Sequence, residues 1–330
     1  MPKKLALTLA CGDYEIVRPL LNDNVEVDGV NLTILTDMDS ATRHWRFLNS
    51  GEFDIAELSS SSYLAARDND MPFRAIPVFP SRVFRQSSFY VAPRAGIAGP
   101  SDLAGRRVGI PEWAQTAGIY ARAYLQHQCG VLLRDIHWVQ AGVNEPGRIE
   151  KVKLSLPSGV AIERVSDRSL NDMLLAGDLD AIISAREPNA FVTHDPRIVR
   201  LWPGYRVLEE AYYRETGVFP IMHAIVIKAE TLDRHPWIAM NLFKAFEEAK
   251  TNSLRNILRS ATSRIPIAWS HHAALEAQKV FGDDCWPYGI EPNRRTLEAF
   301  LQYCYEQGVT NREVRIEELF PRELGKFFKT

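Results

Sequence analysis

Short apolar runs that suit β-strands alternate with amphipathic stretches that suit helices through much of this chain, and that alternation constrains the fold more than any other feature. Strands are expected at Lys4–Leu9, Val30–Leu35, Phe53–Leu58, Ala75–Val78, Arg107–Ile110, His137–Ala141, Val160–Val165 and Asp180–Ser184. Between them, helical spacing covers Ser40–Asn49 (capped by Ser40), Thr116–Gln128 and Leu170–Ala176, and the chain then turns mostly helical over Pro236–Arg259, His271–Phe281 and Arg294–Gln307. Strands that alternate with helices argue for an α/β fold.

Size and charge narrow the function. A chain of 330 residues can bury two α/β cores. Lys and Arg number 39 against 41 Asp and Glu, a formal charge of −2, so nothing global attracts nucleic acid or an anionic membrane, and any anion must be recognised locally. No window approaches the roughly 20 apolar residues of a membrane span. The four cysteines, Cys11, Cys129, Cys285 and Cys304, are scattered, with no metal-ligand spacing, and free thiols in a reducing cytoplasm are expected. The N-terminal run Leu5–Ala10 is shorter than the usual signal core of about 7–15 residues, and the acidic Asp13 and Glu15 follow it. It is therefore expected to be a first strand rather than an export signal, with the protein cytoplasmic.

Two phrases resemble the solute-binding fold: S-D-L-A-G-R-R-V-G-I at 101–110 and A-G-D-L-D-A-I-I at 176–183. A narrower set resembles the bacterial 4,5-dihydroxyphthalate decarboxylase family. It comprises A-C-G-D-Y at 10–14, F-D-I-A-E-L-S at 53–59, I-P-V-F-P-S-R-V-F-R at 76–85, V-G-I-P-E at 108–112 with T-A at 116–117, P-G-R-I-E at 146–150, Y-Y-R-E-T-G-V-F-P-I-M-H at 212–223, P-W at 236–237 and W-P-Y-G at 286–289. The resemblance implies a two-lobed, type II periplasmic-binding-protein-like α/β fold with a ligand cleft between the lobes. Gln86–Ala92 and Phe219–Ile227 then serve as crossings, giving one lobe from 1–92 plus 223–330 and an inserted lobe from 93–222. Trp113-Ala114-Gln115 departs from the family pattern, so the cleft is expected to differ in shape there.

The implied activity is decarboxylation of a hydroxylated aromatic acid, 4,5-dihydroxyphthalate to protocatechuate and CO2, with no organic cofactor and no metal. A ring hydroxyl para to the departing carboxylate pushes electrons toward its carbon, a general acid protonates that carbon, and CO2 leaves. Such a site needs fixed cations and one proton donor. Arg82 and Arg85 offer planar forks for carboxylates, with a surface pair or salt bridge as the plain alternative. Arg148 and Arg186 are further candidates, Arg186 because it follows a strand C-terminus. His223 is a candidate proton donor because a free imidazole titrates in the range that suits proton transfer, against the alternative of a hydrogen-bonded core histidine. Glu57 and Glu112 are candidate acids if burial raises their pKa, or else structural caps. Asp13 and Tyr14 are placed to bind phenolic hydroxyls, and Ser59, Ser60 and Thr116 either donate to a carboxylate or cap helices. His271 and His272 are neighbours in a helix, point in different directions and are expected at the surface.

A non-enzymatic receptor of an ABC transporter for an aromatic carboxylate is the competing reading. A third is a pyrimidine-precursor synthase on the same fold, whose cysteine/histidine-rich iron site has no counterpart here. The expected partner is a small aromatic carboxylate, with neither nucleic acid nor membrane; an exposed patch on the C-terminal helices would allow a homo-oligomer.

Overall fold

In the computed structural model, which describes residues 3–150, 152–259, 261–262 and 265–324, the strands are β1 (Leu5–Ala10), β2 (Val30–Leu35), β3 (Ile55–Ser59), β4 (Phe73–Arg82), β5 (Phe89–Val91), β6 (Arg107–Ile110), β7 (His137–Gln140), β8 (Ile162–Arg164), β9 (Ala181–Ile183), β10 (Val199–Arg200) and β11 (Ile221–Lys228). They form a sheet ordered β2-β1-β3-β11-β4 and a second ordered β10-β5-β9-β6-β7-β8. In the first, β2, β1 and β3 run parallel, while β11 is antiparallel to β3 and β4. In the second, β9, β6, β7 and β8 run parallel, and β5 and β10 are antiparallel additions. The inner strands β3 and β11 are buried along nearly their whole length, as expected of strands covered on both faces. The apolar run at the N-terminus is β1, whose register with β2 extends from Leu5↔Val30 to Ala10↔Leu35.

The chain divides into two units. Unit 1 comprises Met1–Arg82, Ile221–Leu297 and Arg315–Thr330; unit 2 comprises Val83–Pro220 and Glu298–Val314. The boundaries thus differ from those expected at 92/93 and 222/223. Gln86–Ala92 is no crossing: Gln86–Ser88 is a 3-10 turn and β5 pairs with β9 and β10 inside the sheet of unit 2. Residues 298–314 also join unit 2, where Trp113 donates its indole N–H to the Gln307 carbonyl at 2.7 Å.

Local chemistry shifts several element ends. The helix after β2 is capped by Asp39 rather than Ser40, with the Asp39 carboxylate accepting from the N–H groups of Ala41 (2.9 Å) and Thr42 (3.2 Å). It runs as Ser40–Trp45 and closes in a π turn over Arg46–Ser50, and the helix Thr116–Ala123 ends likewise over Tyr124–Gln128. Tyr205–Thr216 is a helix the sequence pattern does not announce; only Tyr212 along it is buried, too little for an apolar stripe.

β4 is an edge strand that carries Pro77 and Pro80, neither of which can donate to a ladder. Its register with β11 slips twice. Ile221 lies opposite Arg82, His223 opposite Ser81, and Ile225 opposite Ile76. The bulge leaves the Pro77 and Phe79 carbonyls to the segment 286–289, where Gly289 N–H and the Trp286 indole N–H donate to them at 2.8 and 2.9 Å. It also sets Ser81 beside His223, and His223 faces Ser59 of β3 on its other side. A bulge that re-aims a side chain in this way commonly marks a functional site. Among the described residues, no helix is long and apolar enough to cross a membrane.

Candidate active site

Glu57 is the centre of the arrangement in unit 1. It sits on β3 with no exposure to solvent, and its carboxylate accepts four hydrogen bonds. Oε2 takes the Gly12 N–H at 2.7 Å and Arg43 Nη2 at 2.7 Å. Oε1 takes the Tyr14 hydroxyl at 2.7 Å and His223 Nδ1. Burial alone would push this carboxyl up, but the hydrogen bond and charge of His223, with the Arg43 charge and the Tyr14 hydrogen bond, bring it down to about 2. The expectation that burial makes Glu57 a general acid is therefore reversed: Glu57 is ionised and has no proton to give.

That ionisation fixes the tautomer of His223. A carboxylate only accepts, so Nδ1 carries a hydrogen and Nε2 is the position that gains or loses the exchangeable proton. The His223 side chain is 19% exposed, against 2% for Arg43 and none for Glu57, so within this charged trio His223 is the one that meets solvent or ligand; Tyr14 is half-buried as well. His44, one residue after Arg43 and itself buried, sets its ring edge-on to His223 with centroids 5.2 Å apart.

Each partner reaches Glu57 for a local reason. The turn after β1 bends so that Tyr14 N–H meets the Gly12 carbonyl at 3.0 Å. The Tyr14 ring then folds back over Gly12, where a Cβ would lie 2.6 Å from Cε2 of that ring; only glycine permits this approach. Arg43 comes from the helix that Asp39 caps, and its Nη1 is tied to the Met38 carbonyl at 3.1 Å. Tyr14 is also hydrogen-bonded to Ser81, the residue that the β4 bulge brings alongside, and burial holds its phenol protonated far above the usual range. Cys11, where this turn leaves β1, is fully buried and its thiol is pushed up to about 12, chiefly by burial.

The structure thus brings Glu57, Tyr14 and His223 together, with Ser59 opposite His223 on β3, and gives other expected residues different partners. Asp13 points outward and pairs with Arg18 at 3.0 Å. Ser59 does not cap the helix Ser60–Asp68; its hydroxyl lies 3.0 Å from that of Ser61, and Ser60 is buried in the first turn. Arg82 is also no free cation. It is buried, donates to the Pro287 carbonyl at 2.8 Å and to the Asn293 side chain, and lies over the Phe79 ring, so it staples β4 to the segment 286–293.

The remaining expected residues belong to unit 2. Glu112 is buried and ion-paired with Arg148, which occupies both as partners of each other. Arg85 is partly buried, and burial lowers its pKa to about 10. Arg186 is exposed, with its backbone N–H on the Ser184 hydroxyl at 3.1 Å, and Thr116 is buried at the first position of its helix. Trp113 is wholly buried, stacked under the Arg122 guanidinium at 3.9 Å and edge-on to Trp138, so this departure from the family pattern is absorbed by the core of unit 2.

Sequence reasoning missed Gly12, Arg43, His44 and Ser81 as members of the site. Gly12 lay inside the A-C-G-D-Y phrase, and Arg43-His44 stood in a helix read only for its periodicity. Among the described residues, no group of three or more His, Cys, Asp and Glu side chains is gathered as metal ligands.

No family model matches the chain. It is 34% identical over 327 residues to the 4,5-dihydroxyphthalate decarboxylase of Comamonas testosteroni, covering 98% of this chain and 99% of that one. To the 4,5-dihydroxyphthalate decarboxylase of Pseudomonas putida it is 37% identical over 213 residues, 64% of this chain and 82% of that one. Among solved structures, the periplasmic aliphatic sulphonate-binding protein SsuA from Escherichia coli is similar with a TM-score of 0.56 and 12% identity, over 97% of this chain and 99% of that chain. At that identity the likeness speaks for the fold, which is the two-lobed, type II periplasmic-binding-protein-like one.

Proposed function

This chain belongs to the 4,5-dihydroxyphthalate decarboxylase family, and we propose that it converts 4,5-dihydroxyphthalate to protocatechuate and CO2 with His223 as the proton carrier. The family is one of carboxy-lyases. The observation that carries the assignment is the Glu57–His223 pair, in which a buried carboxylate, itself neutralised by Arg43, holds Nδ1 of a partly exposed imidazole.

Loss of CO2 from an aromatic carboxylate consumes one proton. The hydroxyl para to the departing carboxylate shares its lone pair with the ring, and the ring carbon takes the proton from His223 Nε2. The carbon–carbon bond then breaks, its electron pair restores the aromatic sextet, and CO2 departs. His223 is reloaded from solvent. Glu57 acts through His223: it fixes the ring and offsets the imidazolium charge. Because Arg43 already balances Glu57, the imidazole is not locked into a bare ion pair and can release its proton. Ser59, across the strand from His223, is a proposed donor to a substrate carboxylate. A cytoplasmic site of action fits the same reading and is supported by the four free cysteines.

The test is incubation of the purified protein with 4,5-dihydroxyphthalate, with and without chelator, following protocatechuate and CO2. Both should form in equal amounts. The substitution His223→Asn should lower kcat by about 10²–10⁴-fold while substrate still binds. Tight binding by the wild-type protein without turnover would replace the decarboxylase with a receptor, and a His223→Asn protein that turns over at the wild-type rate would move the proton carrier elsewhere.

A further inference from the structure

Four donors share the two oxygens of Glu57, and their distribution is uneven in kind. Oε2 carries a backbone N–H and a permanent cation, neither of which changes with pH near neutrality. Oε1 carries Nδ1 of His223, the ring whose far nitrogen Nε2 exchanges its proton, and the Tyr14 hydroxyl, whose proton stays in place. A carboxylate oxygen that accepts a second hydrogen bond spreads its charge and holds the first donor less tightly.

From this geometry we propose that Tyr14 is a positioning residue that sets how strongly Glu57 stabilises the imidazolium form of His223, and that Ser81 sets Tyr14. The inference rests on the reading of His223 as proton carrier. Two features show that the contact is built. Gly12 is stripped of a Cβ at the spot that the Tyr14 ring crosses. The β4 bulge substitutes Ser81 for a proline opposite His223, because an unbroken register from Ile221↔Arg82 would bring Pro80 there. Proline has no side-chain group to bond Tyr14; Ser81 has one and bonds it. Ser81, Tyr14, Glu57 and His223 therefore form a chain of side chains that spans three neighbouring strands and the turn after β1, with its two ends on opposed positions of β4 and β11.

The other charged or titratable groups around the loop are Arg43 and His44 from the helix Ser40–Trp45, and Cys11 and Asp13 from the turn after β1. Arg43 lowers the demand of Glu57 for a second positive charge. His44 would oppose an imidazolium at His223 if it carried charge itself. Cys11 stays protonated, and Asp13 is drawn off by Arg18. Of the groups on Oε1, Tyr14 is the one that can be removed without changing any charge.

The experiment is an NMR titration of the histidine Cε1–H signals in the full chain, with His223 identified by its loss in His223→Asn. In Tyr14→Phe, the whole of Oε1 falls to His223, so its titration should move up by about one pH unit. In the decarboxylase assay the same variant should lose about tenfold in kcat with KM unchanged, since the proton is held more tightly. Ser81→Ala leaves the Tyr14–Glu57 bond in place but removes its support, and should shift the titration in the same direction by less. That variant also decides the matter if Tyr14→Phe does not fold. A His223 titration within 0.2 pH units of wild type in both variants would overturn the proposal (about 0.2 being the resolution asked of a shift that ordinarily reaches a unit or more). The titration needs no substrate, so a wild-type protein without turnover would sink the decarboxylase reading and leave this one to be decided separately.

Discussion

The replacement Glu57→Gln keeps the shape of the side chain and removes its charge. In the wild-type protein the Glu57 carboxyl is brought from 4.5 to about 2. At about 1.4 kcal/mol per pH unit, that displacement is worth about 3 kcal/mol. Because the folded-state value is the lower one, this stability is present above pH 4.5 and is lost as the pH falls toward 2. The variant never has it. It also leaves the Arg43 guanidinium, 2% exposed, without a counter-charge, and breaking one side of a buried pair costs about 3–5 kcal/mol. At pH 7 the variant should therefore be less stable than wild type by about 3–5 kcal/mol. The gap should close by about 3 kcal/mol between pH 5 and pH 2, as the wild-type carboxyl takes up its proton and strands Arg43 in the same way. Equilibrium urea unfolding across that pH range measures the gap directly. A gap that does not change with pH would mean that Glu57 is not held ionised by folding, and the assignment of the His223 tautomer would fall with it.

Two further substitutions test neighbouring parts of the structure. Gly12→Ala places a methyl group 2.6 Å from the Tyr14 ring; the ring must leave Glu57, at a cost of about 1–3 kcal/mol, and the His223 titration should move in the direction expected for Tyr14→Phe. Thermal unfolding and the same NMR signals check both parts. Arg82→Met should destabilise unit 1 by about 1–3 kcal/mol, chiefly by orphaning the Asn293 side-chain oxygen, since the Pro287 carbonyl keeps the Asn293 amide as a donor at 3.0 Å, while steady-state kinetics show KM within about twofold of wild type; a large rise in KM would return Arg82 to the substrate.

The residues of the site were legible in the sequence to the extent that they sat in quotable phrases or at strand ends. Glu57, Tyr14 and His223 were singled out that way, and Tyr14 and His223 prove to share the same oxygen of Glu57. Their roles were less legible, since burial alone predicts a protonated Glu57 and only the three-dimensional neighbours Arg43, Tyr14 and His223 reverse it. Arg43 stands 14 positions before Glu57 in a separate element, a spacing that carries no signal of contact. Arg82 shows the opposite error: an arginine three residues from another suggests an anion site, yet its partner, Asn293, lies 211 residues away. Strand positions followed well from apolar runs. The membership of segments did not, because β5 and residues 298–314 join unit 2 through strand pairing and packing that a linear pattern does not encode.

The position of β11 has a consequence for how the protein comes to exist. It lies between β3 and β4, but the ribosome delivers those two strands first and β11 only after residues 83–220 have been made. Until then each of them lacks its antiparallel neighbour, and Glu57 lacks His223. A nascent chain therefore carries open strand edges while residues 83–220 are made, the kind of surface that chaperones engage and that aggregates when they do not. Of Gly12, Tyr14, Arg43, Glu57, Ser81 and His223, His223 is the last to be made, and a translation product cut short before Ile221 lacks it.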